Sequence, residues 1–140
     1  MFSAPVNLVA VFVAAVVYMV IGMFWYSPWG LGKKWMKLVG LNESDMKGNK
    51  DAMMKSMWMG SVVALVMSYV LAHFIFYAGE NTFLGGAKIA FWAWLGFVAT
   101  MGANDFIFAP KPKSWDLYFF NQGYLLVSFV VMGAILGVWR

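Results

Sequence analysis

The chain has 140 residues, of which 63% are hydrophobic and 11% are charged. Soluble domains carry about 25% charged residues, so this composition argues against a soluble domain and indicates a lipid environment. The net charge of +4 fits lysines placed at membrane ends better than nucleic-acid binding. Because the chain contains no cysteine, disulfides, thiolate metal sites and thiol redox chemistry are excluded.

Four apolar segments are long enough to cross a bilayer. They are predicted at about residues 4–25, 54–77, 87–108 and 115–139. At about 1.5 Å per residue, each can cross a hydrocarbon core of roughly 30 Å as a helix. The first segment lacks the basic start of a signal peptide, so we expect it to be retained. The sequence therefore predicts an all-α integral membrane bundle of four transmembrane helices, with residues 1–140 in a single domain.

A short interfacial helix is predicted between the first two spans, within a cytoplasmic loop at residues 27–53. In residues 29–39, apolar side chains recur at helical spacing with lysines between them, which is typical of an amphipathic helix in the headgroup plane. Gly40 is expected to end this helix. Gly30 and Gly32 precede it and are interpreted as parts of an ordinary turn.

Small residues mark two predicted helix-packing faces. In the second span they occur at every fourth position and share one side of a helix: Ser56, Gly60, Ala64, Ser68 and Ala72. Small residues let two helices approach closely, so we expect Gly60, Ala64 and Ser68 to face another helix, with pore lining as the alternative. In the fourth span, Gly133 and Gly137 form a G-x-x-x-G pair that predicts a second contact.

The basic residues predict an orientation. Eight of the ten lie around the first and third loops, at positions 33, 34, 37, 47, 50, 55, 111 and 113. The other two, Lys88 and Arg140, lie at the opposite membrane face. Because basic residues stay cytoplasmic, both termini are predicted to be extracytoplasmic.

A polar pocket is predicted around Asp105, an acidic residue within the third span. Four other polar residues are expected at a similar depth near the cytoplasmic face: Tyr26, Asn104, Asn121 and Gln122. Because buried charge is costly in a membrane, we expect Asp105 to face the bundle and to contact Tyr26, Asn121 or Gln122. The alternative is a hydrated carboxylate at the helix end, or one paired with Lys111.

No catalytic, metal or cofactor motif is predicted. His73 is the single histidine and lies near the outer face, where we expect it to bond to another helix. The methionines at 53, 54, 57 and 59 are interpreted as flexible apolar filler rather than as copper ligands. No nucleophile–base set and no phosphate-binding loop is recognisable, so we expect neither enzyme activity nor a cofactor.

Three stretches carry a family resemblance. They are WYSPWGLGKKWMKLVGL followed by NESDM, residues 94–97, and residues 121–124 continuing through 133–139. With these stretches the chain resembles the four-span proteins known as domain of unknown function 1761. The resemblance implies a small prokaryotic membrane protein with four helices and no assigned activity. It implies no catalytic or ligand residues.

Two functional hypotheses follow. The first is a structural or accessory protein of the prokaryotic inner membrane, self-associating or part of a larger membrane complex. The small-residue faces favour it. The alternative is a small oligomeric transporter or channel that uses the polar pocket near Asp105. In both, the expected partners are the lipid bilayer and other membrane proteins, and nucleic acid is not expected.

Overall fold

The computed structural model describes residues 4–27, 29–41 and 50–139, and its regular structure there is helical. The helices are α1 (Leu8–Trp25), α2 (Gly32–Val39), α3 (Lys50–Tyr77), α4 (Phe83–Ile107) and α5 (Trp115–Val138). All but α2 are long and apolar enough to cross a membrane. The predicted all-α fold with four such helices is confirmed. Pro28 and residues 42–49 of the predicted cytoplasmic loop lie outside the described residues.

Side-chain caps determine where two of the long helices begin. The Asn7 Oδ1 accepts hydrogen bonds from the backbone N–H groups of Val9, at 3.0 Å, and Ala10, at 3.2 Å. The first helix therefore begins at Leu8, later than the expected start near residue 4. The Thr82 Oγ1 accepts from the Gly85 N–H at 2.9 Å, so α4 begins before the expected residue 87. Such caps satisfy backbone donors that have no partner within the helix.

The helix α5 is the centre of the bundle, because it buries the largest share of its residues and contacts α1, α3 and α4. Its Met132 and Leu136 meet Ala10 and Ala14 of α1 and Ile75 of α3 in one apolar core. One end of the bundle is rich in lysine. At this end α1 and α4 finish, and α3 and α5 begin. That end holds the site described below.

The small-residue stripe of α3 lies against α1. Ala64 and Ser68 are completely buried, and the Ser68 Oγ donates a 2.8 Å hydrogen bond to the Val11 carbonyl. A Cβ added to Gly60 would meet Met19 at an ordinary 3.7 Å. Ser56, one turn before Gly60, is exposed and takes no part in the contact. The predicted stripe is therefore a packing face from Gly60 to Ala72 only.

We expect Ala64→Leu to lower the free energy of unfolding by about 1–3 kcal/mol, because overpacking a filled site forces neighbours to shift. Ala64 has no exposed surface at the α1–α3 contact, which leaves no room for three more carbon atoms. Val63→Leu on the exposed face of the same helix is the matched control. Unfolding in mixed micelles, followed by circular dichroism against SDS concentration, measures both. Equal losses for the two variants would contradict the packing role of the stripe.

Gly133 and Gly137 pack against α4 of the same chain. A Cβ added to Gly137 would lie 2.9 Å from the Gly86 Cα, and one added to Gly133 would lie 3.0 Å from the Gly86 carbonyl carbon. Ala90, one turn further along α4, also meets Gly133. Two small-x-x-x-small faces thus oppose each other, and the backbones of α4 and α5 approach closely there. The sequence interpretation found only the α5 half.

Candidate functional site

The tightly folded turn between α1 and α2 positions the site. The Leu31 N–H donates to the Trp25 carbonyl at 3.0 Å, and the Gly32 N–H donates to the Ser27 carbonyl at 2.9 Å. The Ser27 Oγ donates to the Phe24 carbonyl at 2.8 Å. These bonds satisfy backbone groups left open at the end of α1, so the chain reverses within a few residues.

Two positions in this turn, Gly30 and Gly32, require glycine. Their interpretation as parts of an ordinary turn is therefore corrected. A Cβ on Gly32 would lie 2.6 Å from the Ser27 carbonyl oxygen and 2.7 Å from its carbon. A Cβ on Gly30 would overlap the Phe24 carbonyl. Real Cβ atoms do not approach backbone this closely, so only glycine allows α2 to fold back beneath α1.

The helix α2 is amphipathic, as the sequence predicts, and its apolar side faces α5. Trp35 and Leu38 are partly buried, whereas the lysines are exposed: Lys33, Lys34 and Lys37. Gly40 ends the helix in the left-handed conformation, with φ 78°, which glycine adopts without steric cost. The lysines are therefore held on the outer side of a helix that is anchored by a tryptophan.

Tyr26 is the hub of an aromatic cluster that joins α1, α2 and α5. Its ring packs edge-on against the rings of Trp35 at 5.4 Å, Tyr124 at 5.5 Å and Phe120 at 5.7 Å. Its hydroxyl donates a 2.7 Å hydrogen bond to the Asn121 Oδ1. Burial, with a smaller contribution from Tyr18, raises the pKa of Tyr26 from 10.0 to about 12. The hydroxyl therefore stays protonated and remains a donor at any physiological pH.

Tyr124 extends the cluster one turn deeper. Its hydroxyl donates to the Tyr18 carbonyl at 3.2 Å, and the two rings lie 5.3 Å apart. Gly22 makes room for it, because a Cβ there would lie 2.7 Å from the Tyr124 Oη. The cluster thus joins α1 to α5 through two tyrosine hydroxyls, one at the helix end and one within the span.

An open depression of about 520 Å³ lies beside the cluster. Its lining residues come from the end of α1, from α2 and from α5: Tyr26, Trp35, Asn121, Tyr124 and Leu125. The lining is mostly apolar, and the Tyr26–Asn121 pair supplies polar atoms. Such a shape suits a ligand with an apolar body and a polar group. Within the described residues, no group of three or more histidines or carboxylates could hold a metal ion.

The five residues of the predicted polar pocket do not all lie together in the structure. Tyr26 and Asn121 meet, as described. Gln122 is buried but faces α4, where its Oε1 accepts a 3.1 Å hydrogen bond from the Trp94 Nε1. Asn104 and Asp105 are exposed, and their side chains form no hydrogen bond with the described residues. The predicted contact of Asp105 with Tyr26, Asn121 or Gln122 is therefore wrong.

The rotation of α4 explains this correction. The side of α4 that meets α5 carries Gly102 and Phe106, and the Phe106 ring packs on Tyr118 at 5.4 Å. Asn104 and Asp105 lie outside that face. Their depth in the membrane follows from counting residues, but the direction of their side chains does not.

A π-helical segment in the middle of α4 was not anticipated from the sequence. It runs from Trp94 to Ala99 and starts at the residue that donates to Gln122. The Tyr118 hydroxyl donates to the Ala99 carbonyl at 2.7 Å, at the end of the segment. A π turn is rare and changes which side of a helix faces its neighbour. The two side-chain bonds to α5 lie at the start and at the end of this segment.

His73 lies far from this site and bonds within its own helix. Its Nδ1 lies 2.8 Å from the Tyr69 carbonyl, and its ring lies 4.5 Å from the Tyr69 ring. The expected bond to another helix is therefore wrong. The ring is held on the side of α3 between two tyrosines, with Tyr77 at 6.3 Å.

Four long apolar helices, small-residue helix contacts and an aromatic turn define a small all-α protein suited to crossing a membrane. The chain belongs to the family described as protein of unknown function (DUF1761), whose model matches residues 9–137. The family resemblance that the three sequence stretches indicate is therefore confirmed. Searches of curated proteins and of solved structures found no match.

Proposed function

We propose that this protein is a structural or accessory membrane protein that self-associates or joins a larger membrane complex. The observation that supports it most is the use of polar side chains within the bundle. Tyr26 bonds to Asn121 and thereby ties α1 to α5, and Trp94 bonds to Gln122 and ties α4 to α5. Hydrogen bonds of this kind hold membrane helices in place. The proposal includes no catalytic activity and no cofactor.

The transport alternative loses its support in the Asp105 region. It requires a polar pocket within the bundle, but Asp105 is exposed and its expected partners bond elsewhere. The Tyr26 hydroxyl and the Asn121 Oδ1 are paired with each other at 2.7 Å and form no hydrogen bond with Asp105.

The proposed location is the prokaryotic inner membrane, with the lysine-rich end of the bundle in the cytoplasm and both termini outside. Eight of the ten basic residues support this orientation. Among the described ones, five are exposed around α2 and the loop after α4: Lys33, Lys34, Lys37, Lys111 and Lys113. At the opposite end, Lys88 is exposed near the start of α4.

Single cysteines test the orientation without background, because the chain contains none. We expect Asn81→Cys, in the exposed loop between α3 and α4, to react with a membrane-impermeant maleimide in intact cells. Pro112→Cys, in the exposed loop between α4 and α5, should react only after the cells are permeabilised. The reverse pattern would show that the proposed orientation is wrong, and each variant serves as the control for the other.

Self-association is proposed to use an apolar groove of about 310 Å³ between α3, α4 and α5. Its rim includes Val66, Val70 and Phe74 of α3 and Phe97 of α4, which are exposed. Its floor includes Leu71 and Phe129. A helix from a second copy can place side chains there, whereas the Gly133–Gly137 face is already occupied by α4.

Cross-linking tests this surface. We expect Val70→Cys in membranes to form disulfide-linked dimers upon mild oxidation, since the proposed interface brings two copies together along α3. Val20→Cys, on the exposed side of α1, is the matched control and should stay monomeric. Dimers from both variants, or from neither, would argue against the groove as the interface. Co-purification in mild detergent then distinguishes a homo-oligomer from a complex with other proteins.

A further inference from the structure

We infer that the depression beside Tyr26 binds one anionic phospholipid from the surrounding bilayer. This site does not depend on the proposed structural role. The inference rests on three features of the depression: the order of polar and apolar groups along it, the charge of the helix α2 that contributes to its lining, and its size.

The lining changes from polar to apolar with depth. Tyr26 directly follows α1, and its hydroxyl meets Asn121 at 2.7 Å, so polar atoms lie at the level where the span ends. Tyr124 and Leu125 lie about one turn further along α5, inside the span. This order matches a glycerophospholipid, whose ester and headgroup region lies above its acyl chains. A soluble polar ligand would not use the apolar half.

The helix α2, which contributes Trp35 to the lining, is basic on its exposed side. Lys33, Lys34 and Lys37 are exposed on this helix, which carries no acidic residue. On the helix, Lys34 directly precedes Trp35, the residue that lines the depression. Aromatic residues anchor at the membrane interface, and long lysine side chains reach the headgroup level from there. The lysines of α2 therefore favour an anionic headgroup at this level.

The neighbouring charges at this end of the bundle favour an anion as well. Six exposed lysines belong to the described residues there: Lys33, Lys34, Lys37, Lys55, Lys111 and Lys113. Among the same described residues, three exposed carboxylates oppose them: Asp51, Asp105 and Asp116. The positive excess selects anionic over zwitterionic lipid, because basic segments attract acidic leaflets.

The size of the depression fits a ligand such as a lipid. The volume of about 520 Å³ is within the range of roughly 300–1,000 Å³ for ligand pockets. Its lining comes from the end of α1, from α2 and from α5, so a bound lipid would contact all three.

Native mass spectrometry of the purified full chain tests the inference. The protein is loaded in mild detergent with equal amounts of phosphatidylglycerol and phosphatidylcholine that carry the same acyl chains. We expect one retained phosphatidylglycerol per chain. Lys34→Gln should reduce the preference for phosphatidylglycerol by about fivefold, the effect of one lysine near an anionic surface. Lys88→Gln, which removes an exposed charge from the opposite end of the bundle, should preserve the preference.

A second variant tests the depression itself. Leu125→Trp fills its deeper half and should abolish retention of either lipid, while circular dichroism confirms the helical fold. Equal retention of both lipids by the wild-type protein, or a preference that Lys34→Gln leaves unchanged, would overturn the inference. So would displacement of the lipid by glycerol 3-phosphate alone, which would indicate a phosphate site without a lipid role. The Lys34→Gln result decides the matter even if Leu125→Trp does not fold, because Lys34 is exposed.

Discussion

Gly133→Ala is expected to destabilise the protein by about 1–3 kcal/mol, although alanine is the better helix former. The reason is the close contact of α4 with α5. The added methyl group would overlap the Gly86 carbonyl oxygen and the Ala90 side chain, and it would lie 3.0 Å from the Gly86 carbonyl carbon. Backbone atoms cannot rotate away as a flexible side chain can, so the two helices must separate along their whole contact.

Gly96→Ala is the matched control for this prediction. Gly96 lies on an exposed part of α4, and a Cβ there would have no neighbour within 4 Å. We expect it to leave the free energy of unfolding unchanged or to raise it slightly, in line with helix propensity. Circular dichroism against SDS concentration in mixed micelles compares the two variants with the wild type. A Gly133→Ala protein as stable as the Gly96→Ala protein would refute the close helix contact.

Gly32→Ala is expected to open the turn between α1 and α2, at a cost of about 1–3 kcal/mol. Its Cβ would lie 2.6 Å from the Ser27 carbonyl oxygen and 2.7 Å from its carbon, and the Gly32 N–H is bonded to that same carbonyl. The turn cannot keep this bond and accept the methyl group. The helix α2 should then leave α5, and Trp35 should lose its contact with Tyr26.

Limited digestion with trypsin measures the opening of this turn. Lys33, Lys34 and Lys37 lie on α2, and cleavage after them should become faster when the helix is no longer held against the bundle. Gly60→Ala is the control, because its Cβ would make only an ordinary 3.7 Å contact with Met19. If trypsin cleaves α2 equally fast in both variants, then Gly32 does not hold the turn closed.

The sequence by itself was sufficient for the features that depend on local chemistry. The length and apolarity of its segments predicted four helices able to cross a membrane, since hydropathy acts on each segment independently. Gly40 ended α2 as expected, because a left-handed stop needs only a glycine at the right place. Three stretches of sequence, with the turn after the first span among them, were sufficient to indicate the family.

Tertiary structure alone decided which of the polar side chains face inward and which helix each of them meets. Depth follows from counting residues, and on that basis Tyr26 and Asn121 were correctly placed together. Rotation does not follow, because lipid is as apolar as the bundle interior and the outer and inner faces have similar composition. Asp105 therefore proved to be exposed, and Gln122 was turned toward Trp94. The close contact of Gly86 with α5 could not be predicted from the sequence either. A small residue indicates a helix contact only when the residues that face it are known.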